Sequence, residues 1–204
     1  VSDGWSLGIL LNEMAARYRA HKSGDAGALP RLPLQYADYA VWQRDWLSGD
    51  ELQRQLQYWS SLLADSSGVL ELPTDRPRPA EQTYKGASTL RVLNPELHRQ
   101  LQQLAVHQKC TLYMVLLAAF DVLLGRWAAA DEVVVGTPIA GRKHTELEGM
   151  IGFLSNTLAL PARLEGDPAF NRLLAQLKAT ALEAYGHQEL PFEKLVEVLQ
   201  PERT

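Results

Sequence analysis

Few residues in this 204-residue chain have types and spacings that could do chemistry. Gly4-Trp5-Ser6-Leu7-Gly8 fits G-x-S-x-G, the strand-to-helix elbow that presents a nucleophilic serine in one large class of hydrolases. Such an elbow needs a strand before it, and then an acid and a histidine on loops that follow parallel strands. Here the following stretch reads mostly as helix, Asp131 precedes its strand, and no histidine stands at a strand end, so the pattern disfavours a serine hydrolase. No G-x-x-x-x-G-K or G-x-G-x-x-G phosphate cradle occurs, nor an H-E-x-x-H or Cys/His metal pair. Three polar residues remain: Asp3 at a helix start, Arg142 at the end of the glycine-bearing loop from Gly136 to Arg142, and Asn156 beside an apolar run. An acid, a guanidinium and an amide so widely separated suit positioning and electrostatic stabilisation more than covalent catalysis. The planar fork of Arg142 matches a carboxylate. Asn156 needs partners for its amide, either as a structural hydrogen-bonder or as a ligand contact.

The elements that must position these groups can be read from periodicity. Leu7, Leu10, Leu11, Met14, Ala15 and Tyr18 recur at helical spacing, which makes Asp3-Gly4 a turn delivering polar groups to the start of an amphipathic helix. A connection through Ser23-Gly24-Asp25-Ala26-Gly27, Pro30 and Pro33 leads to a helical segment at Tyr36–Trp42. Asp50 with Gln53 fits a capping box for a further helix carrying Leu52, Leu56, Trp59 and Leu63 on one face. Asp75-Arg76-Pro77-Arg78-Pro79 is a stiff, proline-punctuated crossing and the expected lobe boundary. Beyond it the sequence predicts a strand over 87–93 and a helix capped by Asn94-Pro95. An apolar helix capped by Thr111 follows, then a strand at Val133-Val134-Val135 buried on both faces. A strand around Leu158-Ala159-Leu160 follows, then a long helix capped by Asp167-Pro168 and ended by Gly186 in a left-handed conformation, and then a last short helix. The two glycines of the 136–142 loop allow close backbone approach. His98 and His107 fall on the polar side of their helix, away from metal chemistry.

Bulk properties narrow the class. With 20 Lys+Arg against 24 Asp+Glu, the net charge of -4 gives no electrostatic case for nucleic acid or an anionic membrane. One cysteine, Cys110, allows no internal disulfide and no thiolate metal site, which fits a reducing compartment and a cytoplasmic location. The longest apolar run, Leu112 to Leu124, is short of the ~20 residues a membrane span needs and carries Asp121, so it reads as a core helix. The alternation of helices with isolated strands indicates an α/β fold whose sheet partners lie partly elsewhere. A start inside a turn suggests an excerpt of a longer polypeptide.

Four segments in order resemble the condensation domain of non-ribosomal peptide synthetases. They are Ser2-Asp3-Gly4-Trp5-Ser6, Tyr36-Ala37-Asp38-Tyr39-Ala40-Val41-Trp42, Ile151-Gly152-Phe153-Leu154-Ser155-Asn156-Thr157 and His187-Gln188-Glu189-Leu190-Pro191-Phe192-Glu193. The 75–79 and 136–142 segments look like further parts of that family. The resemblance implies a chloramphenicol-acetyltransferase-like two-lobed α/β fold, incomplete at both ends. Residues 1–80 would form the end of the N-terminal lobe with the crossing segment, and 81–204 most of the C-terminal lobe. It also implies an acyltransferase that joins a donor thioester to an acceptor amine in a tunnel. No cofactor is bound directly; phosphopantetheine arms come with upstream and downstream peptidyl carrier domains, beside an adenylation domain.

In the family's HHxxxDG motif, Asp3-Gly4 match the last two residues, and the second histidine would fall two residues before Val1. The resemblance therefore makes Asp3, Gly4 and Asn156 the catalytic-motif residues of this chain, and Trp5, Gly141 and Arg142 structural or tunnel residues, with no metal. Asp3 is expected to pair with Arg142, and Ser6 becomes a helix-start residue. His187 belongs to a different motif and does not replace the missing histidine, so the fragment alone is expected to be inactive. Leu154-Ser155 stand where the family more often has Phe-Val. Ser2 and Leu158 resemble the subtype taking an L-configured donor. Trp5 and Asn156-Thr157 favour condensation over the related epimerisation domains, and a non-catalytic carrier-docking module is the alternative from another class.

Overall fold

The structure, a computed structural model, describes residues 2–24, 29–66, 68–77, 79, 81 and 83–200. Val1, Asp25-Ala26-Gly27 of the expected flexible connection, Arg78 of the crossing and the C-terminal 201–204 lie outside them. The helices are α1 (Gly4–Ser23), α2 (Tyr36–Trp46), α3 (Gly49–Leu62), α4 (Pro95–His107), α5 (Leu112–Ala128), α6 (Phe170–Gly186) and α7 (Phe192–Leu199). The strands are β1 (Glu132–Ile139) and β2 (Asn156–Arg163), which pair with each other. Asp131 O accepts from Leu164 N at 2.7 Å at one end of the pair, and Gly136 approaches Thr157 further along, so the two run antiparallel.

Two compact units interleave along the chain. The described residues within Val1–Leu62, Gly136–Leu158 and His187–Gln200 form the first, and those within Leu63–Val135 and Ala159–Gly186 the second. In the first unit α3 packs against α7, and Tyr39, Leu147, Met150 and Leu154 form a buried cluster beneath α2. In the second unit α5 lies between α4 and α6. Asn94 caps α4 by accepting from Leu97 N at 2.7 Å, and Thr111 caps α5 by accepting from Met114 N at 3.2 Å, as their sequence signals require.

Several expectations are corrected. Asp3-Gly4 is not a separate turn: Asp3 is itself the N-cap of α1, with Gly4 as the first helical residue. α3 begins at Gly49, which places Asp50 inside the first turn; the side-chain-to-backbone bond of a capping box is found instead at Gln35, whose N–H donates to Asp38 Oδ2 at 2.8 Å. The buried face of α3 centres on Gln55 and Trp59. No strand forms over 87–93, where Leu90 is 85% exposed, because no neighbouring strand completes its ladder among the described residues. Burial on both faces belongs to β2, where residues 158–162 are all buried, while in β1 Val133 is buried and Val134 and Val135 are half-buried. α5 is a core helix on one side only, since Tyr113, Leu116, Phe120, Leu123 and Trp127 are exposed. α6 starts two residues after Pro168, with Asp167 at φ 49°, and Gly186 is its last helical residue, not a left-handed cap. No single helix among the described residues is long and apolar enough to cross a membrane.

Candidate functional site

Asp3 is the centre of a buried polar cluster in the first unit. As N-cap of α1 it accepts from Ser6 N at 2.9 Å through Oδ1, which also lies 2.7 Å from Ser6 Oγ. Arg142 grips both oxygens in a fork: Nη1 donates to Oδ2 at 2.8 Å and Nη2 to Oδ1 at 3.1 Å. Leu154 N and Ser155 N complete the set, donating to Oδ2 at 3.1 and 3.2 Å. The side chains of Asp3 and Arg142 are only 4% and 1% exposed. Burial alone would push the Asp3 carboxyl up, but hydrogen bonds from Arg142, the Ser6 hydroxyl, and the Ser6 and Leu154 amides outweigh it and hold the group well below the usual carboxylate range. Asp3 is thus a fixed anion, with its lone pairs taken and none left for a reacting proton.

Ser6 is the second hub. Its Oγ accepts from Arg142 Nη2 and from Gly152 N, both at 3.1 Å, and its single proton serves either Asp3 Oδ1 or Gly152 O, the latter at 2.9 Å. At 1% exposure and so engaged, it has no character of a nucleophile. Arg142 further donates to Ala140 O at 3.1 Å and Met150 O at 3.2 Å. Trp5 anchors the rim: its Nε1 donates to Glu148 O at 3.0 Å, and the guanidinium carbon of Arg142 lies 5.6 Å from its ring centroid, within cation–π range. Gly141, at φ 65°, passes so close that a Cβ there would collide with Leu154 O. Gly152 is similarly obliged, because a Cβ would strike the Tyr36 ring, whose hydroxyl donates to Phe153 O at 3.1 Å.

Asn156 lies at the start of β2 and clasps a different loop. Its Nδ2 donates to Gln188 O at 2.9 Å and Leu190 O at 2.7 Å, and its Oδ1 accepts from Thr157 N at 2.8 Å and Phe192 N at 3.0 Å. Both amide protons and both lone pairs are committed to backbone. Of the two roles open to Asn156 in the sequence, the geometry supplies the structural one. The same loop is held from the other side by Trp59 Nε1, which donates to His187 O at 3.0 Å, while the His187 ring stacks on Tyr58 at 3.8 Å.

These two clusters face one cavity of about 230 Å³. Gly141, Leu154 and Ser155 bring the wall that the Asp3–Arg142 pair fixes, Gln188, Glu189 and Pro191 the wall that Asn156 clasps, and Tyr39 and Gln43 of α2 also line it. Sequence reasoning missed Ser6 as a hub, and missed Tyr39, Gln43 and Glu189 as lining residues. The spacing of Tyr36, Tyr39 and Gln43 on one helix face was the available signal.

A family model described as Condensation domain matches residues 1–204. The chain belongs to the condensation-domain family. Members of this family are acyltransferase-type enzymes that form amide bonds. One of the linear gramicidin synthase polypeptides of Brevibacillus parabrevis is 52% identical over 203 residues, which are 100% of this chain and 4% of that protein. Chondramide synthase of Chondromyces crocatus is 42% identical over 204 residues, 5% of its length. Among solved structures, the X-domain from teicoplanin biosynthesis matches with TM-score 0.89 and 30% identity, covering 100% of this chain and 46% of that one. A four-domain non-ribosomal peptide synthetase bound to AMP and glycine matches with TM-score 0.87 and 28% identity, covering 99% of this chain and 15% of that one. The chain thus spans a small part of its curated relatives and about half of the solved single domain. The fold expected from the sequence, chloramphenicol-acetyltransferase-like α/β, is that of these condensation-domain neighbours.

Proposed function

We propose that this condensation-domain chain serves peptide-bond formation between thioesters borne by an upstream and a downstream peptidyl carrier domain of a non-ribosomal peptide synthetase. In that reaction the acceptor amine attacks the donor thioester carbonyl. A C–N bond forms, the C–S bond breaks, the donor arm leaves as its thiol, and the amine gives up one proton. The phosphopantetheine arms are covalent parts of the carrier-borne substrates, so no residue of this chain is assigned to hold them. An adjacent adenylation domain and a cytoplasmic location belong to the same reading, as does an L-configured donor, supported by Ser2 and Leu158.

The observation that carries it is the buried Asp3–Arg142 fork, which fixes the Asp-Gly end of the segment where the family carries its histidines. In this reading Asp3, Gly4, Trp5, Gly141 and Arg142 hold the histidine-bearing loop in place, and Asn156 acts through the 188–192 loop and not on the reacting atoms. Residues 1–80 are assigned to the end of the N-terminal lobe with the crossing segment, and 81–204 to the C-terminal lobe. The fragment alone, whose sequence holds neither histidine of the motif, is inactive. The test is amide formation by the parent synthetase with both carriers loaded, followed by mass spectrometry of the carrier-bound product. Wild type yields the amide, Asp3→Ala abolishes it, and this 204-residue chain yields none. A parent synthetase that forms no amide overturns the reading.

A second reading, a docking module without turnover, is favoured by one likeness. The X-domain from teicoplanin biosynthesis, solved in a complex with OxyB, matches this chain with TM-score 0.88 and 30% identity. A parent protein that makes no amide yet binds a partner enzyme through this domain would establish it.

A further inference from the structure

A second cavity of the first unit, of about 290 Å³, lies between α2 and the 144–147 turn, apart from the one that the Asp3 and Asn156 clusters face. Its walls are apolar and aromatic. Leu34, Tyr39, Trp42 and Leu147 line it together with the His144 ring. Tyr39 and Leu147 are buried members of the core cluster, while Leu34 and Trp42 are each 38% exposed and open the cavity to solvent. Neighbouring rings fix Trp42: its centroid is 5.7 Å from that of Tyr39, 5.8 Å from that of the stacked Trp46, and 5.6 Å from the His144 ring, which meets it edge to face. Such a wall is preorganised. The two remaining lining residues are acids, Asp38 and Glu146. Asp38 is positioned by the start of α2, where its Oδ2 accepts from Gln35 N at 2.8 Å. Both acids are exposed, and neither belongs to an ion pair among the described residues. Lys143, next along the chain from His144, pairs with Glu189 instead. An aromatic slot with two unmatched carboxylates beside it complements a side chain that has an apolar stem and a cationic head. Arginine fits better than lysine, because its planar guanidinium is weakly hydrated, stacks on aromatic rings and can engage two carboxylates at once. At ~30 Å³ per water, about 290 Å³ has room for one long side chain and not for a larger element.

We propose that this slot docks an arginine side chain from a neighbouring domain of the parent polypeptide. The proposal goes beyond the amide-forming reaction and does not depend on it. Charge complementarity selects the side chain, and the build of the relatives supplies its source: the matched region is 4% of the gramicidin synthase relative and 15% of the four-domain synthetase. In a parent of that build most of the polypeptide lies in other domains tethered to this one. A pocket for a single side chain binds weakly, and tethering offsets this by raising the effective concentration to about the millimolar range. Docking of this kind holds a neighbour and still lets it leave.

The first arm of the test uses this chain with acetyl-arginine methylamide, and with acetyl-citrulline methylamide as a probe of the same shape without the charge. The arginine compound should shift the Trp42 indole N–H signal saturably, and the citrulline compound should bind at least 10-fold more weakly. Glu146→Gln, a change at an exposed position, should weaken arginine binding at least 5-fold with the melting temperature unchanged. Equal binding of the two compounds, or undiminished binding to E146Q, overturns the proposal. The second arm uses the parent polypeptide with photoreactive benzoylphenylalanine in place of Leu34, and decides by itself where this chain or E146Q fails to fold. Irradiation and mass spectrometry should find cross-links to another domain, and replacing the arginine nearest the cross-linked residue with alanine should remove most of them. Cross-links confined to this domain, within one molecule or between two copies, or cross-links indifferent to that arginine, overturn the proposal. A parent that forms no amide yet gives the arginine-dependent cross-link supports it and defeats the proposed reaction alone.

Discussion

Asp3 shows how a single buried charge can be stable and still not be available for chemistry. Both its oxygens are saturated, and Arg142 opposite it is almost wholly buried. Asp3→Ala would strand that guanidinium at a cost of about 3–5 kcal/mol, read as a lowered urea midpoint, whereas Asp3→Leu with Arg142→Met should recover part of the loss. Because the folded-state pKa of Asp3 lies below its ordinary value of 3.8, its contribution is complete above that value and drains away as pH falls below it. Asp121 behaves oppositely. It is fully buried in α5, neither carboxylate oxygen has a hydrogen-bond partner among the described residues, and burial pushes its pKa up to about 7. Its folded form prefers the proton, so stability falls as pH rises from about 4 to about 7, by on the order of 4 kcal/mol for a shift of ~3 units. Asp121→Asn should flatten that slope, and melts at pH 5 and pH 8 that still differ by the wild-type amount would refute this. The Asp3–Arg142 pair was legible through the family resemblance, which brings the glycine loop ended by Arg142 to the Asp-Gly segment, and its planar fork suits a carboxylate. Ser6 and Asp121 were not, since a hydroxyl or an acid in a helical pattern carries no sign in the sequence of which way it points.

Elements translate these residues into a shaped wall. Asn156 matters because one side chain spans the start of β2 and the loop before α7, satisfying two carbonyls and two amides. Asn156→Asp keeps the acceptor bonds to Thr157 and Phe192 but replaces two donations to carbonyls with repulsion, so it should destabilise at least as much as Asn156→Ala. With net bonds of ~1 kcal/mol each, the loss is about 2–4 kcal/mol, and hydrogen exchange at the Phe192 amide should quicken by more than tenfold. An Asp variant as stable as wild type would show that the clasp is not used. The fold was legible in proportion to how local its cause is. The Asn94 and Thr111 caps, and the existence of every helix, follow from signals within a few residues. The strand expected over 87–93 did not follow, because alternation defines a strand only when another strand pairs with it. Burial of β2, in place of β1, depended on what covers each face, and the Val133–Val135 run does not encode that.

Each of the two units leaves one helix face uncovered. In the first, Trp5, Leu7, Leu11, Met14 and Tyr18 of α1 are about half exposed or more. In the second, the outer face of α5 presents Tyr113, Leu116, Phe120, Leu123 and Trp127, spaced by three or four residues, so they form one continuous stripe. Scattered exposed apolar residues are ordinary, whereas contiguous stripes of this kind mark surfaces that associate. The chain matches 46% of the solved X-domain, so that domain has as much sequence again with which to bury such stripes. By itself, therefore, this chain should bind a hydrophobic dye such as ANS and elute with a concentration-dependent size. Replacing Leu116, Phe120 and Leu123 together with lysine should suppress most of the dye signal and the self-association. If the proposed function holds, the same triple substitution in the full synthetase should lower the yield of folded protein, because a charge pressed into an apolar contact is costly. A triple variant that leaves dye binding, elution and parent yield all unchanged would show that the α5 stripe faces water in the native assembly.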